Sequence, residues 1–168
     1  MLDFAVLAIF PGIMAFAAVS DMLTMKIPNL ASLTLALGFF ALAFMTGMPL
    51  AVIGWHAVAG LLMLVLCFFM FNFGWIGGGD AKLAAATTLW LGFGLLPSYG
   101  VIASVFGGAL TLVILQIRRM REEGGILSGP STAKALDSKV GIPYGIALAA
   151  AGLVVYPDTA IWLAAKAF

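Results

Sequence analysis

The sequence predicts an all-α, polytopic membrane protein of about six transmembrane helices with its amino and carboxyl termini on the outer, periplasmic side. Three observations carry this. Of the 168 residues, 64% are hydrophobic and 9% charged, against roughly 25% charged in an ordinary soluble domain, so lipid must be the solvent. The apolar residues fall into six runs near the ~20 residues that cross a ~30 Å hydrocarbon core. The basic residues collect in alternate loops.

The first run, residues 4–20, follows Met1-Leu2-Asp3 with no basic stretch ahead of it. A cleaved signal sequence would need one, so the first helix is expected to stay. Ile27-Pro28-Asn29 breaks the chain before the second run, 30–46, and Thr46-Gly47-Met48-Pro49 before the third, 50–71. Glycines 77, 78 and 79 precede the fourth, 81–96. Pro97-Ser98 separates it from the fifth, 99–117, and a polar stretch at 118–142 leads to the sixth, 143–165. The short links predict two tight antiparallel hairpins, second with third and fourth with fifth.

Lys26, Lys82 and the group Arg118, Arg119, Arg121, Lys134 and Lys139 all fall on one side of this arrangement; the other side holds Lys166 alone. The positive-inside rule places the basic side in the cytoplasm. The chain, 1–168, reads as a single membrane-embedded domain with a cytoplasmic loop at about 118–142. Gly124-Gly125 and Ser128-Gly129-Pro130-Ser131 in that loop favour turns over a packed core.

Several functions are set aside by composition. A net charge of +1 and a pI near 7.9 give no footprint for nucleic acid. Cys67 stands alone, so neither an internal disulfide nor a multi-cysteine zinc site is expected, and it reads as a small apolar residue. Phe68-Phe69-Met70-Phe71 is accounted for by lipid contact and helix packing.

An ionisable side chain at membrane depth costs a few kcal/mol, which makes a boundary carboxylate a candidate for function. Asp21 ends the first run and Asp80 opens the fourth. One complete hairpin lies between them, so they emerge on the same side whichever way the protein is inserted. The bland readings are a helix-end marker for Asp21 and a complement to the helix dipole for Asp80. Gly77, Gly78 and Gly79 lack side-chain bulk and permit close approach to Asp80. Two such carboxylates suit peptide hydrolysis, one ionised to activate water and one protonated to polarise the amide, with a proton shared across the pair. The titration belongs to the pair, and no metal or cofactor is needed.

Flanking residues have local readings too. Lys82 lies ~200° around a helix from Asp80, so it either attracts an acidic group on a substrate or anchors the interface. Asn29 reads as a helix cap, and Thr24 as a partner for Asp21 or for local backbone. Pro143 and Tyr144 start the sixth helix. His56 and Asp158 are expected near the opposite, outer end, away from the aspartates.

Gly77-Gly78-Gly79-Asp80-Ala81-Lys82-Leu83 resembles the GxGDxKL motif of the type IV prepilin peptidases, membrane aspartyl proteases of the GxGD class. Asp21, Thr24, Ile27, Pro28 and Asn29 match that family's D-x-x-T-x-x-I-P-N segment. Pro143-Tyr144-Gly145-Ile146-Ala147 is similar to the start of the last helix in the short forms that serve Flp-type tight-adherence pili. The resemblance implies catalysis by Asp21 and Asp80, with Thr24, Pro28, Asn29, Gly77, Gly79, Lys82, Pro143, Tyr144 and Gly145 binding substrate or shaping the site. It implies a multi-pass protein of the bacterial inner membrane that cleaves, at the cytoplasmic face, the short basic leader of an Flp-type prepilin or pseudopilin after glycine. Long forms also methylate the new pilin N-terminus and often carry an early cysteine-motif domain; with one cysteine here, methyl transfer is not expected. The alternative reading is a small proton- or cation-coupled carrier with the aspartates as ion ligands. It predicts charge deeper in broken, repeated helices, and no repeat is evident.

Overall fold

In the computed structural model, which describes residues 2–122 and 141–166, the chain forms α1 (Leu2–Thr24), α2 (Asn29–Met45), α3 (Leu50–Asn72), α4 (Gly78–Glu122), α5 (Tyr144–Val155) and α6 (Ala160–Ala165). A 3-10 turn, Tyr156–Asp158, joins the last two. The all-α, polytopic membrane architecture stands: α1, α3 and α4 are long and apolar enough to cross a bilayer, and α2 and Tyr144–Asp158 are shorter apolar helices. Leu7, Leu33, Leu61, Val101 and Leu112 are each more than half exposed, as a surface facing lipid allows.

The 45 residues of α4 are folded at Gly92, whose φ of 62° and ψ of −176° are not helical. Residues 78–91 and 93–122 are two legs that flank α5. Leu148 of α5 packs both on the group holding Ala81 and Ala84 and on that holding Leu91 and Tyr99. The reversal predicted at Pro97-Ser98 therefore lies five residues earlier, and the chain is helical through Pro97. Glycine alone adopts this φ without strain, whereas Pro97 sits in the opening turns of the second leg, where its missing N–H interrupts little of the ladder.

Three further expectations are corrected. The second and third runs do not form a tight hairpin: α2 and α3 meet near their turn, where Phe39 stacks on His56 at 5.3 Å, and farther along a groove floored by α4 separates them. The sixth run is not one helix: it tightens into the 3-10 turn Tyr156–Asp158, Thr159 is extended, with φ −73° and ψ 149°, and the chain restarts there, the Thr159 hydroxyl accepting from Trp162 N–H at 3.3 Å. The polar connector begins late. Residues 118–122 extend the second leg, since glycine first appears at 124; residues 123–140 lie outside the described residues.

The large buried aromatic side chains Phe10, Phe39, Trp90 and Tyr156 cluster away from Asp21 and Asp80. Phe10 stacks on Tyr156 at 4.4 Å and tilts against Trp90 at 5.1 Å. The two polar tips are satisfied by backbone, as burial demands: Trp90 Nε1–H donates to the Leu35 carbonyl at 2.9 Å and the Tyr156 hydroxyl to that of Val6 at 2.7 Å. This aromatic knot ties α1, α2, the first leg of α4 and the 3-10 turn together. It leaves the other end to small residues such as Ala17 and Ala149, both fully buried, so the helix ends that carry the carboxylates can approach closely.

Candidate active site

The end of α1 is built to present Asp21 and the loop after it. Met25 takes a left-handed conformation, φ 56°, and its N–H donates to the Asp21 carbonyl at 2.8 Å, closing the helix. Ser20 Oγ donates to the Lys26 carbonyl at 2.8 Å. Thr24 Oγ1 donates to the Ser20 carbonyl at 2.8 Å and the Lys26 carbonyl at 3.2 Å. These bonds pin the carbonyl just before Ile27 and aim that residue inward, where it is buried.

Asp21 is 5% exposed, and its Oδ2 accepts the Gly145 N–H at 2.8 Å. The fit at Gly145 admits nothing larger than hydrogen: an added Cβ would lie 2.7 Å from that same oxygen and 2.6 Å from Ile27 Cδ1. Asp80 stands in the first turn of α4, its carboxylate lying against Gly77. A Cβ on Gly77 would come within 2.9 Å of Asp80 Oδ2, and one on Gly79 within 3.1 Å of Ile27 Cβ. Ile27 is thus a wedge between Gly79, next to Asp80, and Gly145, bonded to Asp21. The two carboxylates lie within electrostatic reach of one another, brought there by the ends of α1, α4 and α5.

The structure gathers Asp21, Asp80, Gly77, Gly79 and Gly145. Thr24 binds local backbone, one of its two expected readings. Pro28 occupies the N-cap of α2, without a side-chain cap, and this displaces Asn29 from the capping role expected of it. Asn29 instead accepts from Lys82 Nζ at 2.8 Å, on the side of α4 turned from Asp80 as the helical spacing requires. Pro143 is buried and precedes α5. Tyr144 turns to the second leg of α4: its hydroxyl is 3.3 Å from Thr111 Oγ1 and its ring lies against Gly107. Arg118, also on that leg, donates to the Gly141 carbonyl at 2.8 Å.

His56 and Asp158 line one cavity of about 390 Å³ with Gly92, at the far end from the aspartates. His56 Nδ1 lies 2.8 Å from the Leu89 carbonyl, an acceptor only, so Nδ1 carries the proton. His56 thus binds α4 three residues before the break at Gly92. Ser20 and Ile27 were not among the expected site residues. Ile27 has a signal in the sequence: it is one of the matched positions in the segment from Asp21 to Asn29. Ser20 has none.

Residues 8–112 match the type IV leader peptidase family, a stretch that contains both aspartates. A curated relative from Dickeya chrysanthemi, named prepilin leader peptidase/N-methyltransferase, is 38% identical over 127 residues, which cover 71% of this chain and 44% of the relative. One of the same name from Burkholderia pseudomallei strain 1026b is 39% identical over 140 residues, 77% of this chain and 44% of its own. The chain therefore spans less than half the length of these curated relatives. No solved structure matches.

Proposed function

This chain belongs to the type IV leader peptidase family, and on that premise we propose that it is an aspartyl endopeptidase whose catalytic pair is Asp21 and Asp80. The observation that carries the proposal is the convergence around Ile27, with Gly145 on Asp21 and Gly79 beside Asp80. In the proposed reaction one carboxylate removes a proton from water as the oxygen attacks the scissile carbonyl. The other gives its proton to the carbonyl oxygen, and collapse of the resulting diol expels the amine with a proton returned from the pair. The roles belong to the pair. The Gly145 N–H holds Asp21, so that carboxylate need not be ordered when substrate arrives.

The proposed substrate is a prepilin or pseudopilin of the Flp type, cut after glycine at the cytoplasmic face of the bacterial inner membrane, with the chain acting as one membrane-embedded unit. Both aspartates lie at helix ends on one face of the bundle, which supports cleavage at a boundary rather than mid-bilayer. The same placement, with the family, turns away from an ion carrier. Purified protein mixed with a synthetic Flp-type prepilin and mapped by mass spectrometry tests this: a single cut after the leader glycine is expected, with a free, unmethylated new amine. No cleavage by a folded protein, or a cut inside the apolar helix, contradicts it.

A further inference from the structure

A groove of about 650 Å³ opens between α2 and α3 with α4 as its floor. It does not belong to the carboxylate site. Its length, from Asn29 to Phe40 along α2, is about 16 Å at ~1.5 Å per residue, and its walls are apolar except at one end. There Asn29, Ser32 and Lys82 gather, at the level of the bundle that carries Asp80. Asn29 and Lys82 belong to the two motifs around the aspartates, yet the proposed hydrolysis uses neither.

The polar end consists of donors. Lys82 Nζ gives one proton to Asn29 Oδ1, which fixes the amide so that its NH2 faces away from Lys82, and two ammonium protons are left over. Ser32 Oγ, one helical turn from Asn29, is buried without a partner, a state that costs free energy unless an acceptor arrives. A cation, an amide NH2 and a hydroxyl above a slender apolar slot complement an anionic head on an apolar chain.

Leu30, Leu33, Leu61 and Leu64 along the groove are exposed, so it opens to lipid, and an extended hydrocarbon chain, a narrow cylinder, enters it sideways from the bilayer. We propose that the groove between α2 and α3 is a binding site for an anionic glycerophospholipid, with its phosphate on Lys82 and Asn29, an ester oxygen on Ser32 and one acyl chain reaching toward Phe40 and Leu89.

Native mass spectrometry of the full chain in detergent, titrated with phosphatidylglycerol and with phosphatidylcholine of identical chains, reads this directly. The expected result is a one-lipid complex that favours phosphatidylglycerol at least tenfold. Lys82→Gln and Ser32→Ala should each weaken it, and Lys82→Arg should retain it. In membranes, a benzophenone amino acid placed at Leu64 in the groove wall should yield a lipid adduct. Equal retention of the two lipids, retention unchanged by both Lys82→Gln and Ser32→Ala, or a polypeptide adduct at position 64 would overturn the proposal. None of these readouts depends on peptide cleavage.

Discussion

Gly145→Ala places one methyl group where the geometry has no room. The added Cβ would sit 2.7 Å from Asp21 Oδ2, 3.1 Å from Asp21 Cγ and 2.6 Å from Ile27 Cδ1. The carboxylate must swing away, and the 2.8 Å bond from the Gly145 N–H is lost with it. A hydrogen bond to a charged group contributes about 1.5–3 kcal/mol. If that much positioning energy is missing in the transition state, cleavage slows by roughly 10- to 150-fold, at ~1.4 kcal/mol per decade. Initial rates on a synthetic prepilin in detergent measure this, with thermal unfolding as the check on fold. A second substitution separates the two collisions. Ile27→Val removes Cδ1 and leaves the Asp21 contact, so the double variant should stay slow. Wild-type rates in Gly145→Ala, or full rescue by Ile27→Val, would refute the reasoning that Gly145 serves the Asp21 carboxylate.

Gly92→Ala should lower stability by about 2 kcal/mol or more, because a left-handed alanine costs ~1–2 kcal/mol and its Cβ would lie 2.9 Å from His56 Cε1; thermal unfolding in detergent reads the loss. His56→Ala removes the bond from His56 to the Leu89 carbonyl and should cost about 0.5–1.5 kcal/mol in the same assay, while cleavage at a temperature well below unfolding is unchanged. Ser20→Ala and Thr24→Val each remove one of two donors to the Lys26 carbonyl. Each alone should slow cleavage slightly and the pair by more than the product of the two effects, which a double-variant rate comparison measures.

Much of this was legible in the sequence for a simple reason. Lipid imposes length and apolarity on every crossing, so Asp21 and Asp80 could be set on one face by counting crossings between them. The family resemblance supplied Gly77, Gly79 and Gly145 as expected site residues; at each of them a methyl group would strike a carboxylate or Ile27. What stayed hidden depends on tertiary contact. Pro97 is the stronger local breaker, but the reversal needed the φ of Gly92 and the imidazole of His56, 33 residues from Leu89 in sequence. Asn29 looks like a cap until Pro28 is seen to hold that position and Lys82 to claim the amide. The groove beside them arises from the divergence of α2 and α3, which a three-residue link does not reveal.

The central claim is that Asp21 and Asp80 form one catalytic pair. Its most direct test is processing of a co-expressed Flp-type prepilin by Asp21→Asn and Asp80→Asn, each near-isosteric and each checked for wild-type levels in the membrane. Mature pilin should be absent with either variant. Processing that persists with either one, in a protein inserted as well as the wild type, would contradict the account.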